Sequence, residues 1–349
     1  MKFTPKTLLL LVLFMGLGIG LVVYKIGELT PDQRKIIVHS LTSANYFWVA
    51  LSLLTGFVSH FSRAARWNML MQPMGYEPKM KNTVAAVMTG YMINFAIPRA
   101  GEVFRCGVIN RYEKVPLQRV VGTMVTERIV DVLGLLMVFV LAFLLEFDVL
   151  YGYFQTNVFN KVGSSGGSKI PGGYGLIIAA IIGISLLIAF RFLRGYLEKL
   201  HIYHRFKAFI KGFLEGIKSI RHLRSPFWFI VHTVIIYTCY FLMMYLCFFS
   251  MPETAGLSAG AGLALLAISS IAMIITPGGI GAYPLFVQAG LMIYGINKEI
   301  GYSFGWLVWS AQFIGIMVGG LLALIILPIM NPDVKPKDDP ETTALLENI

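Results

Sequence analysis

Charged residues are scarce in this sequence, since Asp, Glu, Lys and Arg together account for 13% of its 349 positions. An ordinary soluble domain carries about 25% charged residues. Hydrophobic residues make up 56% of the chain instead. The shortage of charge excludes an ordinary soluble domain and indicates an integral membrane protein.

Cysteine is also rare, and the three that occur, Cys106, Cys239 and Cys247, show neither metal-ligand spacing nor a disulfide framework. None of the six histidines belongs to an HExxH motif. That spacing places two ligands on one helix face, as zinc catalysis requires. We therefore expect no metal site and no cofactor.

Six apolar runs are each long enough to cross the hydrocarbon core, which takes roughly 20 residues. They cover about 7–24, 46–62, 120–145, 174–191, 226–249 and 302–329. The first run follows two lysines, as in a signal peptide, but no small-residue cleavage site comes after it. We interpret it as a retained membrane helix.

The net charge of +11 is concentrated between the apolar runs. Residues 191–224 hold nine basic and two acidic residues, whereas residues 146–173 hold two of each. Because basic loops stay in the cytoplasm, this pattern places 191–224 inside and 146–173 outside the membrane, with both termini cytoplasmic. We expect this membrane to be a bacterial plasma (inner) membrane. Such basic segments favour membrane lipids with anionic headgroups as partners, and not nucleic acid.

Two further apolar stretches, about 83–112 and 257–296, are interrupted by Pro and Gly. Basic residues flank the first stretch on both sides, so a re-entrant helical hairpin fits the charge pattern better than a full span. Interrupted segments at corresponding places in two halves of a chain are typical of transporters with inverted repeats. The alternative is that Pro and Gly only kink ordinary membrane helices. The predicted fold class is all-α and integral to the membrane, with about six full transmembrane helices, two re-entrant hairpins and an inverted repeat as a possibility.

The sequence predicts one polytopic membrane domain over residues 1–330. The tail at 331–349 is acidic and contains Pro, so we expect it to be disordered and cytoplasmic. Within the domain, residues from about 194 to 224 mix basic and apolar side chains at helical spacing. This pattern is typical of a basic amphipathic helix that lies on anionic headgroups.

Charged residues also fall inside or beside the apolar segments, in three groups. Arg63 and Arg66 lie one turn apart at the cytoplasmic end of the second span, and Trp67 follows them. Two arginines at this spacing can bind a phosphate together. They can also extend to the membrane interface, with the tryptophan anchored at the same depth.

The break of the first hairpin carries Arg99, Glu102 and Arg105, with Asn94 and Gly101 beside them. A charge at mid-membrane costs about 2.5 to 3.5 kcal/mol, so each needs a partner or water. The second half-helix starts near Gly101, where N–H groups and the helix dipole favour an anion. We expect Asn94 and Gly101 to supply hydrogen bonding and close backbone approach, and Glu102 to orient Arg99 or Arg105.

The third group, Glu127, Arg128 and Asp131, lies in a continuous span. Glu127 and Asp131 are four residues apart, so they share a helix face and would repel each other inside lipid. We expect them to share a proton or to meet arginines of the other groups. The arginines expected there are Arg66, Arg99 and Arg105. The result is either a structural ion network or a substrate or proton pathway.

The break of the second hairpin, TPGGIGAYP, carries no charge but contains Gly278, Gly279 and Gly281. Glycines at these positions would let a lipid headgroup reach backbone N–H groups. Close packing against another helix explains the same glycines equally well.

Four motifs, in order along the chain, carry a family resemblance. RAARW at 63–67, NFAIPRAGEVFR at 94–105, ERIVD at 127–131 and TPGGIG at 276–281 resemble motifs of the flippase-like membrane domain of lysylphosphatidylglycerol synthases and their stand-alone relatives. The resemblance covers about residues 6–328. It implies an all-helical membrane domain that moves a lipid, such as an aminoacylated phospholipid or another lipid-linked headgroup, between leaflets. The synthases also carry a soluble aminoacyl-transferase domain that is missing here, so we do not expect this chain to aminoacylate lipids.

The resemblance transfers functional roles to the residues that match its motifs. These residues are Arg63, Arg66, Trp67, Arg99, Gly101, Glu102, Arg105, Glu127, Arg128 and Asp131. At one position the chain departs from the pattern, because the family usually has a glutamate three residues after the PGGxG turn, where this chain has Pro284. The second hairpin therefore lacks a carboxylate.

Two main functions are compatible with these features. The first is a lipid flippase, without catalytic residues, whose arginines hold an anionic or aminoacylated headgroup between the hairpins. No ATP-binding motif occurs, so its energy would come from an ion gradient, a proton or the lipid gradient. The alternative is a membrane-embedded transferase acting on a polyprenyl-linked donor, with a divalent cation at Glu146 and Asp148. A binding role without turnover, suggested by the acidic tail, is a third option, and the oligomeric state stays open.

Overall fold

The computed structural model describes residue 27 and residues 29–97, 100–154 and 223–332. The chain divides into two compact units, residues 1–145 with 221–349 and residues 146–220. Every regular element in the described residues is helical, and no strand occurs among them. The all-α membrane fold predicted from the apolar runs is therefore confirmed.

Ten α-helices occupy the described residues. They are α1 (Pro31–Ser43), α2 (Tyr46–Met71), α3 (Met80–Ala96), α4 (Ala100–Glu113), α5 (Leu117–Leu145), α6 (Phe147–Phe154), α7 (Pro226–Phe248), α8 (Ala259–Ile275), α9 (Ala282–Ile293) and α10 (Lys298–Ile329). Polar side chains define several helix starts. Asn45 accepts a hydrogen bond from the N–H of Phe47, and Ser258 accepts one from the N–H of Ala261. Each cap satisfies an N–H group that has no carbonyl partner in the first turn.

Three helices in the described residues are each long and apolar enough to cross a membrane. They are α5, α7 and α10, with 29, 23 and 32 residues. Helices α1 and α2 meet the same criteria as a pair, bent by 70° at their junction. These helices coincide with four of the six predicted spans. The predicted spans at 7–24 and 174–191 lie outside the described residues, as do almost all of the predicted amphipathic helix and the tail from residue 333 onward.

Each predicted hairpin corresponds to two short helices that pack against each other. In the first pair, α3 and α4 contain 17 and 14 residues and are separated at 97–99. In the second pair, α8 and α9 contain 17 and 12 residues and flank a turn at Pro277–Gly279. Every one of these helices is shorter than the roughly 20 residues of a full span. That both pairs re-enter the membrane stays a prediction.

Helix α10 packs against α1, α2, α3 and α9 and so contacts a member of each short pair. Its glycines allow a close approach. A Cβ on Gly305 would lie 2.6 Å from Cα of Pro284, and a Cβ on Gly320 would lie 2.5 Å from Cβ of Met92. Pro284, at the position of the family's usual glutamate, is therefore buried against the backbone of α10.

Candidate functional site

The charged residues of α2, α4 and α5 form one buried ion cluster. Nη1 of Arg63 lies 2.7 Å from Oε1 of Glu127 and 2.6 Å from Oδ2 of Asp131. Nη2 of Arg66 lies 2.6 Å from Oδ1 of Asp131, and Nη2 of Arg105 lies 2.5 Å from Oε2 of Glu127. None of these five side chains is more than 15% exposed. The expectation that the two carboxylates meet Arg66 and Arg105 is confirmed, and Arg63 joins them.

The helical repeat explains how the cluster forms. Arg63 and Arg66 lie one turn apart on α2, and Glu127 and Asp131 lie one turn apart on α5, so each helix presents two charges to the other. Burial of an ion costs several kcal/mol, which only such close pairing offsets. The arginines of α2 therefore point into the protein and do not extend to the membrane interface.

Trp67 lies in the protein interior, so the interfacial anchor considered from the sequence is wrong. Its side chain is fully buried, and its indole N–H donates to Oγ1 of Thr123 at 3.0 Å. The guanidinium carbon of Arg105 lies 4.3 Å from the centre of the indole ring. A cation over an indole face is attracted to the ring, most strongly where water is excluded. Trp67 thus helps to position Arg105 against Glu127.

Arg128 and Glu102 form a second, less buried ion pair. Nε of Arg128 lies 3.1 Å from Oε1 of Glu102, and the two side chains are 39% and 25% exposed. The expectation that Glu102 orients Arg105 is wrong, because Arg105 bonds Glu127 while Glu102 pairs with Arg128. Nε of Arg128 is buried and makes no hydrogen bond among the described residues. Arg128 is therefore held mainly by charge, since its Nη1 also lies 3.8 Å from Oδ2 of Asp131.

The first helix break is closed by a side chain. Arg99 lies outside the described residues. After the break, the N–H of Gly101 donates to Oδ1 of Asn94 at 2.9 Å, and the N–H of Ala100 donates to the carbonyl of Ile97 at 3.2 Å. Two of the N–H groups at the start of α4, which we expected to attract an anion, are thus already satisfied within the protein.

Gly101 brings α3 and α4 into backbone contact. A Cβ at this position would overlap the carbonyl oxygen of Gly90 on the facing helix. The close backbone approach expected for Gly101 is therefore present, and its partner is a neighbouring helix.

The second helix break is a glycine turn held by α10. Gly278, Gly279 and Gly281 have φ values of 59°, 72° and 72°, a left-handed conformation that residues with a side chain rarely adopt. The carbonyl of Gly278 accepts a hydrogen bond of 2.7 Å from the indole N–H of Trp309. A Cβ on Gly278 would overlap the ring of Phe95 near the end of α3. The two helix breaks therefore meet.

A cavity of about 940 Å³ lies between the two breaks. Its wall includes Ile97 at the first break and Thr276 at the second, together with residues of α2, α5, α7 and α10. Most of the lining side chains are apolar. Tyr240, one of the polar ones, accepts a hydrogen bond of 3.0 Å from Nη2 of Arg63, so the wall of the cavity adjoins the buried ion cluster.

Comparison with known proteins assigns the family. Residues 8–320 match the model of the family described as the lysylphosphatidylglycerol synthase TM region. The chain belongs to this family. It is also 22% identical to the UPF0104 membrane protein MJ1595 of Methanocaldococcus jannaschii, over 93% of this chain and 96% of that protein. No solved structure matches the chain.

This member of the lysylphosphatidylglycerol synthase TM family is a multi-pass membrane protein, and only part of its predicted site lines the cavity. Asn94, Glu102, Arg128 and Gly278 are in the wall. The other predicted residues that the structure describes lie outside the wall, and they are Arg63, Arg66, Trp67, Gly101, Arg105, Glu127, Asp131, Gly279 and Gly281. The described arginines that we expected to hold a headgroup are paired with carboxylates instead.

Several polar residues of the cavity wall were not predicted as site residues. Three of them, His60, Tyr91 and Tyr240, lie on the side of the wall formed by α2, α3 and α7. His60 precedes Arg63 by three residues and so lies on the same face of α2, which was the available signal. The two tyrosines lie inside apolar runs that carry no comparable signal.

The acidic residues of the transferase hypothesis are in a different part of the chain. Glu146 directly precedes α6 and Asp148 lies in its first turn, both in the second compact unit. In the described ranges, no group of three or more His, Cys, Asp or Glu side chains is arranged to hold a metal ion. The described geometry adds no support to a metal-dependent transferase.

Proposed function

We propose that this protein is a lipid transporter that moves a phosphate-bearing headgroup between leaflets of the bacterial plasma membrane through the cavity between its helix breaks. The observation that supports the proposal is a single cavity that joins both breaks and combines an apolar wall with the Arg128–Glu102 ion pair. A volume of about 940 Å³ is within the range of cavities that enclose small ligands. It suits a lipid headgroup together with the adjoining part of its acyl chains.

The charge of the site favours an anionic group. Among the described residues, the ion cluster and the adjacent ion pair contain four arginines and three carboxylates. Each arginine contacts a carboxylate, but the set as a whole has one more positive than negative charge when all seven are ionised. Excess charge inside a membrane protein is costly, so a bound phosphate would balance the site.

Arg128 is the best placed residue to contact that phosphate. It lines the cavity, it is 39% exposed, and its guanidinium can bind two phosphate oxygens at once. Glu102 lies beside it, so the headgroup and this carboxylate compete for the same cation. Glu127 and Asp131 have a different role in the proposal, because they hold the three buried arginines in place and do not line the cavity.

Translocation by the purified protein in vesicles tests the proposal. Vesicles of phosphatidylcholine carry a trace of fluorescent phosphatidylglycerol, and dithionite quenches the probe in the outer leaflet. Wild-type protein should expose inner-leaflet probe faster than protein-free vesicles do. Arg128→Gln should slow the exposure of the inner-leaflet probe at least about tenfold. A tenfold change in rate corresponds to about 1.4 kcal/mol, which is less than a hydrogen bond to a charged group contributes.

Arg119→Gln is the matched control, since Arg119 is an exposed arginine in the first turn of the same helix and lies outside the cavity wall. It should keep the wild-type rate. Equal rates for the wild type and Arg128→Gln, or no rate above that of protein-free vesicles, would contradict the proposal.

A further inference from the structure

The last turn of α8 is an apolar part of the cavity wall that lies open to the outside. Met273, Ile274 and Ile275 all line the cavity, and they are 40%, 75% and 44% exposed. Successive residues of an α-helix point about 100° apart, so three exposed residues in a row span more than half of the helix circumference. The end of α8 therefore lies at a mouth of the cavity. We call these three residues the α8 edge.

The apolar surface of the α8 edge continues away from the cavity. Ile271 lies three and four residues before Ile274 and Ile275, so it is on the same face of α8. It is 37% exposed and is not part of the cavity wall. Among the described residues, Phe57 on α2 is the one other large apolar side chain of the wall that is exposed. An exposed apolar strip marks a surface that contacts lipid or another apolar partner, and hydrocarbon chains always surround a membrane protein.

The size of the cavity limits how much of a lipid it can enclose. A cube of 940 Å³ is about 10 Å on a side. The hydrocarbon core is about 30 Å thick, so the chains of one leaflet extend about 15 Å. A cavity of this size cannot enclose two such chains together with a headgroup. The chains have to leave through a mouth, and an apolar edge keeps them out of contact with water and polar groups there.

We infer that the acyl chains of the transported lipid leave the cavity across the α8 edge while the phosphate stays at Arg128, an inference that rests on the proposed function. Arg128 and the α8 edge belong to the wall of the same cavity. The partner that fits both is a phosphodiester that carries long hydrocarbon chains. A water-soluble phosphodiester with the same headgroup matches Arg128 alone, so the α8 edge selects the lipid form of the headgroup.

Photo-crosslinking tests where the chains lie. The protein is placed in phosphatidylcholine nanodiscs that contain a trace of phosphatidylglycerol with a diazirine on one acyl chain. After illumination, mass spectrometry identifies the crosslinked residues. Wild-type protein should crosslink at residues 273–275. Excess glycerophosphoglycerol, which is the same headgroup without chains, should suppress this crosslink by competition at Arg128, and Arg128→Gln should lack it.

Leu144 on α5 is the matched control position. It is 65% exposed and lies outside the cavity wall, so we expect it to contact bulk lipid. Crosslinks at Leu144 should be the same with and without glycerophosphoglycerol, and the same in Arg128→Gln. A crosslink at the α8 edge that persists under these conditions would come from bulk lipid and would overturn the inference.

Ile274→Gln tests the α8 edge in transport. The dithionite assay contains a trace of probe, so its rate follows the affinity for the lipid. The variant should expose the probe about fourfold more slowly than the wild type, the factor that corresponds to the loss of one methylene contact with hydrocarbon. Leu144→Gln should keep the wild-type rate, and calorimetric titration with glycerophosphoglycerol should give one affinity for all three proteins. Equal rates for Ile274→Gln and the wild type would contradict the inference.

The outcomes separate this inference from the proposed function. Translocation without a crosslink at the α8 edge that glycerophosphoglycerol suppresses overturns the inference and leaves lipid transport standing. Such a crosslink in a protein without translocation supports the path of the chains and overturns transport. Absence of both overturns both.

Discussion

Nη2 of Arg105 lies 2.5 Å from Oε2 of Glu127, and this ion pair links α4 to α5. Glu127 also lies 2.7 Å from Arg63 and 3.8 Å from Arg66, so one fully buried carboxylate faces guanidinium groups from two other helices. Without its charge, three buried cations would share the single carboxylate of Asp131. Glu127 is therefore the residue on which the packing of α2 and α4 against α5 depends most.

Replacement of Glu127 by Gln should destabilise the protein by about 3 to 5 kcal/mol, the loss expected when one member of a buried ion pair is removed. Gln has nearly the same size as Glu, so the change in the free energy of unfolding measures the contribution of the charge. Unfolding in detergent micelles with increasing dodecyl sulfate measures the free energy. Glu253→Gln changes an exposed glutamate and should stay within about 0.5 kcal/mol of the wild type. Similar values for the two variants would mean that the cluster contributes no stability.

The long helices and the two breaks could be predicted from the sequence because their causes are local. A span needs a length and an apolar composition that are visible in a single segment. Pro removes an N–H donor, and Gly adopts left-handed backbone conformations, so both residues mark positions where a helix ends. The breaks at 97–99 and 276–281 accordingly fall where Pro98 and Gly278 predict them.

The partners of the charged residues could not be predicted in the same way. Spacing along α5 shows that Glu127 and Asp131 share a face, but it does not show which arginines on other helices meet them. Sequence proximity favoured a contact between Arg105 and Glu102, whereas helix packing places Arg105 against Glu127 and leaves Glu102 to Arg128. The position of Trp67 along α2 suggested an anchor at the membrane interface, and this was wrong for the same reason. Its burial depends on contacts with Arg105 on α4 and Thr123 on α5, which the sequence does not show.

Gly101→Ala should destabilise the protein by about 1 to 3 kcal/mol, the usual effect of an added methylene in a tightly packed interior. The new methyl would overlap the carbonyl oxygen of Gly90 and crowd the side chain of Asn94, so α3 and α4 would have to separate. The same unfolding experiment in micelles measures the change.

The matched control for this substitution is Gly122→Ala on α5. A Cβ on Gly122 meets no atom within 4 Å, and Ala favours a helix over Gly by up to about 1 kcal/mol. This variant should be neutral or more stable than the wild type. If both alanine variants were equally stable, the contact between the two backbones would not hold the short helices together.

The ion pair of Glu102 and Arg128 allows a test of competition within the cavity. Both side chains line the cavity and are partly exposed, and partly exposed ion pairs contribute about 0.2 to 1 kcal/mol. If the headgroup displaces Glu102 from Arg128, binding has to break this ion pair. Removal of the carboxylate removes that cost, so the free energy of lipid binding should become more favourable by the same amount. A carboxylate that only orients Arg128 would have the opposite effect on affinity.

Glu102→Gln should therefore bind dihexanoyl phosphatidylglycerol more tightly than the wild type, by up to about fivefold, the factor that corresponds to about 1 kcal/mol. Translocation in vesicles should slow, because the carboxylate no longer replaces the headgroup on Arg128 when the lipid leaves. Calorimetric titration and the dithionite assay measure the two effects on one preparation. Glu77→Gln, at an exposed position that is not part of the cavity wall, should change neither. Weaker binding by Glu102→Gln would instead assign Glu102 to orienting Arg128 or to contact with a positive part of the headgroup.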